Sequence, residues 1–161
     1  MYDLHTQLDP YFAARAAKDQ FSGVVLITQS DNVLFSGTYG YASRAWKLPN
    51  RLETRFDTAS ITKLFTSVAI LQLIDQGRLS LDTKVIDLLD IDDTTISRDI
   101  TVYHLLTHTS GMGDDADEEA GERYEDLWVD TPNYSVRTTT DMLPQFIHKL
   151  ANFAPGEECR Y

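Results

Sequence analysis

Phe56-Asp57-Thr58-Ala59-Ser60-Ile61-Thr62-Lys63 leads without a break into Leu64-Phe65-Thr66-Ser67-Val68-Ala69-Ile70-Leu71-Gln72-Leu73-Ile74-Asp75. Ile61, Leu64, Phe65, Val68, Ala69 and Leu71 recur at helical spacing, and Ile70, Leu73 and Ile74 widen the stripe until it nearly encircles the helix. A helix apolar on almost every side is expected in the interior of a domain. Gly77, two residues past Asp75, stands where a left-handed residue would stop it. At the head of the helix Ser60 and Lys63 are three residues apart and so share a face. A neutral lysine in that position can take the serine proton, and the serine oxygen can then attack a carbonyl to form an acyl-enzyme.

The spacing alone carries little. With ten serines and five lysines in 161 residues, random placement gives roughly 0.3 such pairs. Position adds the weight, because the pair opens the most apolar segment of the chain. The structural alternative makes Ser60 a helix N-cap and Lys63 a first-turn surface lysine. A cation in the first turn opposes the helix dipole, so the lysine is poorly placed unless it has work to do.

Outside this segment, composition excludes several classes of function. The chain is long enough for one domain with a sizeable core, and 42% hydrophobic with 24% charged residues is ordinary for a globular protein. A formal charge of −11 argues against nucleic acid or an anionic membrane as partner. No transmembrane span is expected, since Lys63, Gln72 and Asp75 interrupt the longest apolar runs. Met1-Tyr2-Asp3-Leu4-His5 lacks the basic and apolar regions of a secretory leader, which gives a cytoplasmic location as the expectation. Residues 114–126 hold eight acidic side chains against one arginine. Their spacing fits no calcium-binding loop, so a solvated mobile loop is expected there. Cys159 is the only cysteine, and the four histidines form no zinc pattern, so neither a disulfide nor a metal or other cofactor is expected.

Working outward, residues 3–19 carry a helical stripe of Leu4, Leu8, Tyr11 and Phe12, with Pro10 either kinking the helix or marking its start. Gly23 to Thr28 and Val33 to Gly40 flank Ser30-Asp31-Asn32 as a β-hairpin. Pro49 to Asp57 reads as a connecting loop. Ser80 to Leu89 suggests a short helical element, and Thr101 should cap a brief helix through Val102, Leu105 and Leu106. A last helix is expected over Met142 to Leu150, with Phe146, Ile147 and Leu150 inward and Pro144 in its first turn. There is no internal repeat. A lone two-stranded hairpin is marginal, so its sheet is expected to be completed by residues beyond these 161.

Five segments, in order, resemble the serine β-lactamase and penicillin-binding protein superfamily. The branch concerned contains class C β-lactamases, D-alanyl-D-alanine carboxypeptidases and related esterases. They are Ser22-Gly23-Val24-Val25-Leu26, Phe56 to Lys63, Gly77-Arg78-Leu79-Ser80-Leu81-Asp82, Leu105 to Met112, and Phe153-Ala154-Pro155-Gly156 to Tyr161. The resemblance implies an α/β (α+β) fold of the β-lactamase/transpeptidase type, an antiparallel sheet flanked by helices. It makes Ser60 the nucleophile, Lys63 its proton acceptor and Tyr161 the tyrosine of a Tyr-x-Asn motif that exchanges protons with serine and leaving group. Partly buried at the positive end of a helix, Lys63 is expected to have its ammonium disfavoured. The Ser60 backbone N–H would be one oxyanion donor. His108 and Ser110 are expected to support the active-site wall.

The asparagine of Tyr-x-Asn and the later Lys-Thr-Gly or His-x-Gly strand are absent from these residues. Residues 1–161 are therefore expected to be the N-terminal portion of a single domain whose C-terminal strands are missing, inactive in isolation. The expected partners are a small-molecule or peptide substrate and the remainder of the same domain, possibly a separate chain. The expected function is acyl-enzyme hydrolysis of an amide or ester. The alternative is a non-catalytic peptide-binding or scaffold module on the same fold.

Overall fold

A computed structural model describes residues 4–161; the first residues of the expected 3–19 helix and of the leader reading lie outside the described residues. The chain forms two compact units, one ending at Ala59 and the other running from Ser60 to Tyr161.

The first unit joins a helix to a hairpin. Helix α1, Leu4–Ala17, continues through Pro10, so the proline is not its start. Leu4, Leu8, Phe12 and Ala16 are partly covered at a four-residue repeat, whereas Tyr11 is exposed beneath the Arg15 guanidinium, 4.9 Å from its ring centroid. Strands β1, Gly23–Gln29, and β2, Asn32–Tyr39, form the expected hairpin and pair antiparallel with Gly23 opposite Tyr39. Phe35 is the centre of this unit at 1% exposure, with the rings of His5 and Phe12 packed on it. Tyr39 is nearly buried, and its hydroxyl donates to Asp9 Oδ1 at 2.8 Å. Burial first, then the carboxylate, pushes its phenol up to about 12.

A second, smaller hairpin was not legible in the sequence: β3, Tyr41–Ser43, pairs with β4, Leu48–Pro49. Asn50 ties the two hairpins together. Its side-chain amide donates to the Tyr39 carbonyl at 2.7 Å and to Ser22 Oγ at 3.0 Å, and its backbone N–H reaches Gly40 O at 3.1 Å. Gly40 has φ +67, and a Cβ there would lie 2.9 Å from the Ser22 backbone, so the corner requires glycine.

The second unit begins with a 3-10 turn, Ala59–Ile61, and helix α2, Thr62–Asp75. Gly77 at φ +68 ends α2, with Arg78 N–H on Leu73 O and Gly77 N–H on Ile74 O. Two five-residue helices follow, α3 (Val85–Leu89) and α4 (Val102–Leu106). Thr101 caps α4 in a reciprocal box with His104, as expected from its position. Val85, Ile100 and Val102 form the core, and Ile70 and Ile74 of α2 pack against them with Ile96, Leu106 and Met112.

Within these residues helix α2 is covered on one side only: Ser67, Ile70, Leu73 and Ile74 are partly covered, while Leu64 and Phe65 are 65% and 70% exposed. The apolar ring encircles the helix, yet the α3–α4 layer meets only one side of it. The helix expected over Met142 to Leu150 is instead a 3-10 run, Thr139–Gln145, followed by turns, with Leu150 exposed. Pro144 inside that run has no N–H to donate. The Ile147 and Lys149 carbonyls are taken by Thr94 and Thr95, at 2.6 Å each from Thr94 Oγ1 and Thr95 Oγ1. Helix α5, Leu127–Asp130, lies between this run and the acidic segment. Among the described residues no helix is long and apolar enough to cross a membrane.

Candidate active site

Ser60 sits in the 3-10 turn, and the N-cap position of α2 falls on Ile61, which makes no side-chain cap. Ser60 therefore does not cap the helix. Its hydroxyl oxygen instead accepts a hydrogen bond from Lys63 Nζ at 3.2 Å, the contact that the i, i+3 spacing allows. Lys63 is exposed rather than partly buried as expected, because the apolar ring of α2 around it is uncovered.

Tyr161 comes to the same place from the far end of the chain. Lys63 Nζ lies 5.1 Å from its ring centroid. Hydrogen bonding from Ser60, then from Lys63, holds the Tyr161 phenol below the ordinary tyrosine value. Both donors favour the phenolate, which is the form able to receive a proton.

The backbone explains how Tyr161 arrives there. Asn152, Gly156 and Arg160 donate their N–H groups to Gly111 O, Thr109 O and His108 O at 2.8, 2.8 and 2.9 Å. Residues 152–160 thus run along the stretch after α4. Gly111, at φ +68, is required for this approach, since a Cβ would run into the Phe153 carbonyl. His108 holds a positive φ of 57° and packs its ring 4.9 Å from that of Tyr161. Ser110 lines a polar cavity of about 160 Å³ with Asp114, Asn152, Arg160 and Tyr161. A larger, mostly apolar cavity of about 420 Å³ opens between α2 and α4, bounded by Lys63, Ile70, Leu105 and His108.

The acidic segment is largely exposed, as a solvated loop would be, but it is tied down at several points. Asp117 caps the 3-10 turn Glu118–Ala120, and two distant cations grip the segment. Lys149 Nζ donates to Glu122 Oε2 at 2.8 Å and to the Asp115 carbonyl at 2.9 Å. Arg160 Nη2 lies 2.7 Å from Asp117 Oδ1 and 2.8 Å from Glu119 Oε2. Lys149 holds the Glu122 carboxyl below its usual range, and burial raises that of Asp114. Sequence reading missed Arg160. The available signal was a run of acids with one internal arginine, which calls for basic partners elsewhere in the chain. Among the described residues no group of three or more His, Cys, Asp or Glu side chains could hold a metal ion.

A family model described as Beta-lactamase matches residues 8–161. Esterase EstB of Burkholderia gladioli is 30% identical over 167 residues, covering 98% of this chain and 42% of its own length. Penicillin-binding protein 4 of Amycolatopsis lactamdurans is 29% identical over 120 residues, covering 73% of this chain and 32% of its own. Among solved structures, a penicillin-binding protein from Bacillus halodurans superposes with a TM-score of 0.77 at 42% identity, covering 92% of this chain and 44% of that one. The chain thus spans less than half the length of these relatives.

Proposed function

The chain belongs to the Beta-lactamase family, and on that premise we propose that it carries the nucleophile site of a serine hydrolase acting on esters or amides. The observation that carries this reading is the meeting of Ser60 Oγ with Lys63 Nζ at 3.2 Å, with the Tyr161 ring centroid 5.1 Å from the same ammonium.

In the proposed reaction the Ser60 hydroxyl gives its proton to the Tyr161 phenolate as Oγ attacks the substrate carbonyl carbon. The Ser60 backbone N–H supplies one hydrogen bond to the developing oxyanion. When the tetrahedral adduct collapses, the bond from carbonyl carbon to the leaving oxygen or nitrogen breaks, and Tyr161 returns the proton to that atom. Lys63 keeps the phenolate stable between the two transfers. Water then attacks the acyl-enzyme by the same route, releasing a carboxylic acid and restoring Ser60.

A cytoplasmic esterase or peptidase-like hydrolase is the form of this reading we favour, and cell fractionation tests its location. The uncovered ring of α2 belongs to the same proposal: Leu64, Phe65, Val68 and Leu71 are about half exposed or more, and the remainder of the domain, on this polypeptide or a second one, would cover them. The test of function is turnover of a panel of chromogenic esters and anilides by the full-length protein, with the remainder of the domain present, and by its Ser60→Ala variant. Loss of turnover with unchanged folding is expected. Retained turnover in Ser60→Ala removes Ser60 from the mechanism and leaves the peptide-binding alternative.

A further inference from the structure

Tyr161 is 71% exposed, so packing does little to fix the position of its phenol. Its neighbour is held far more firmly. Arg160 and Asp117 form the most enclosed ion pair among the described residues, with side chains 29% and 21% exposed, and Glu119 adds a second carboxylate at 2.8 Å. The anchor is itself braced. Asp117 Oδ1 also accepts the Ala120 N–H at 3.0 Å, and the Asp117 N–H donates to Glu122 Oε2 at 2.9 Å, the oxygen that Lys149 grips. On the backbone side, Arg160 N–H is bonded to His108 O at 2.9 Å, and His108 packs its ring on Tyr161. Residue 160 is thus held through both main chain and side chain, one peptide unit from the phenol, and that peptide unit is planar.

We infer that Arg160 is a positioning residue: it clamps the chain to the acidic segment so that the Tyr161 phenol stays on Ser60 and Lys63. This rests on the catalytic reading of Tyr161 proposed above. It also gives residues 114–126 a task, since their carboxylates supply a fixed counter-surface for one guanidinium rather than a ligand site. One guanidinium nitrogen, Nη2, meets both carboxylates, and arginine suits the task because it stays charged at any working pH. Displacement of a reacting group by about 1 Å can cost about a hundredfold in rate, so a clamp outside the reacting atoms has a measurable effect.

The test is the rate at which a fluorophosphonate phosphonylates Ser60 of the full-length protein, the serine oxygen bonding to phosphorus as fluoride leaves, with maximal rate and half-saturating concentration measured separately. It compares the protein, Tyr161→Phe, Arg160→Gln and the double variant. Arg160→Gln is expected to lower the maximal rate roughly 10- to 100-fold and to leave the half-saturating concentration within about twofold. The double variant is expected to be no slower than Tyr161→Phe alone, because the clamp acts only through the phenol. An unchanged rate in Arg160→Gln, or losses that multiply in the double variant, would overturn the inference while leaving Tyr161 catalytic. A normal rate in Tyr161→Phe would instead remove the catalytic reading of the tyrosine, and the clamp with it. Should Arg160→Gln fail to fold, Asp117→Asn combined with Glu119→Gln retains an acceptor for the Ala120 N–H and weakens the same clamp. A several-fold loss confined to the maximal rate is then expected, and no loss overturns the inference.

Discussion

Tyr39 and Tyr161 carry the same phenol in opposite surroundings. Tyr39, in the first unit, is enclosed by Phe12 and Phe21 and donates its proton toward a carboxylate, and its pKa rises to about 12. Tyr161, in the second, is exposed, faces a hydroxyl and an ammonium, and its pKa falls. In one site apolar enclosure and a negative neighbour keep the proton on the phenol, which suits a permanent hydrogen bond inside a core. In the other, water access and donor groups loosen that proton, which suits transfer. The two units therefore use one side chain for stability and for chemistry, and the neighbours decide which.

The comparison breaks most visibly at Lys63. Lys63→Met removes the donor to Ser60 Oγ and the cation beside Tyr161, and the rate of Ser60 phosphonylation by a fluorophosphonate is expected to fall by roughly 10²- to 10⁴-fold. In the protein that rate should climb with pH through a midpoint below the usual tyrosine value of about 10, and in Lys63→Met the midpoint should move upward. An unmoved midpoint would detach Lys63 from the phenol. Phe35→Ala strikes the other side. Emptying a site that is 1% exposed should cost about 3–5 kcal/mol in denaturant unfolding, read by circular dichroism.

A smaller effect is expected at Tyr39 itself. Its folded pKa is raised, so its contribution to stability is present below the unfolded value of about 10 and is lost as pH rises through about 12. Asp9→Ala should lower the Tyr39 pKa and cost about 1 kcal/mol, measured by alkaline titration of tyrosine absorbance and by melting. The smallest effect lies in the acidic segment. Glu122 has a lowered folded pKa, so its contribution is present above the unfolded carboxylate value and is lost as pH falls through the folded one. Glu122→Gln should flatten the acid limb of the stability curve slightly, because the Lys149 pair is largely exposed.

Local signals were the legible ones. The β1–β2 hairpin, the Gly77 stop and the Thr101 cap each follow from a few neighbouring residues, and each is where the pattern put it. The run 139–150 was misread because its apolar spacing resembles a helix, while Pro144 and the distant hydroxyls of Thr94 and Thr95 impose another path. The contacts that tie down the acidic segment were not legible for a similar reason, since Lys149 and Arg160 are remote in sequence. Within the site, Ser60 and Lys63 could be paired from spacing alone. Tyr161 entered only through a resemblance, and Arg160 had no local signature at all. The covering of α2 could not be read from hydrophobic content, which reports that a surface wants a partner without supplying one.

The most direct test of the central claim is the intact mass of the full-length protein, residues 1–161 together with the remainder of the domain, before and after exposure to a fluorophosphonate, with peptide mapping of any adduct. A single adduct on Ser60, absent in Ser60→Ala and slowed in Lys63→Met, is the result this account requires. No adduct on the protein, or one on a residue other than Ser60, would contradict it.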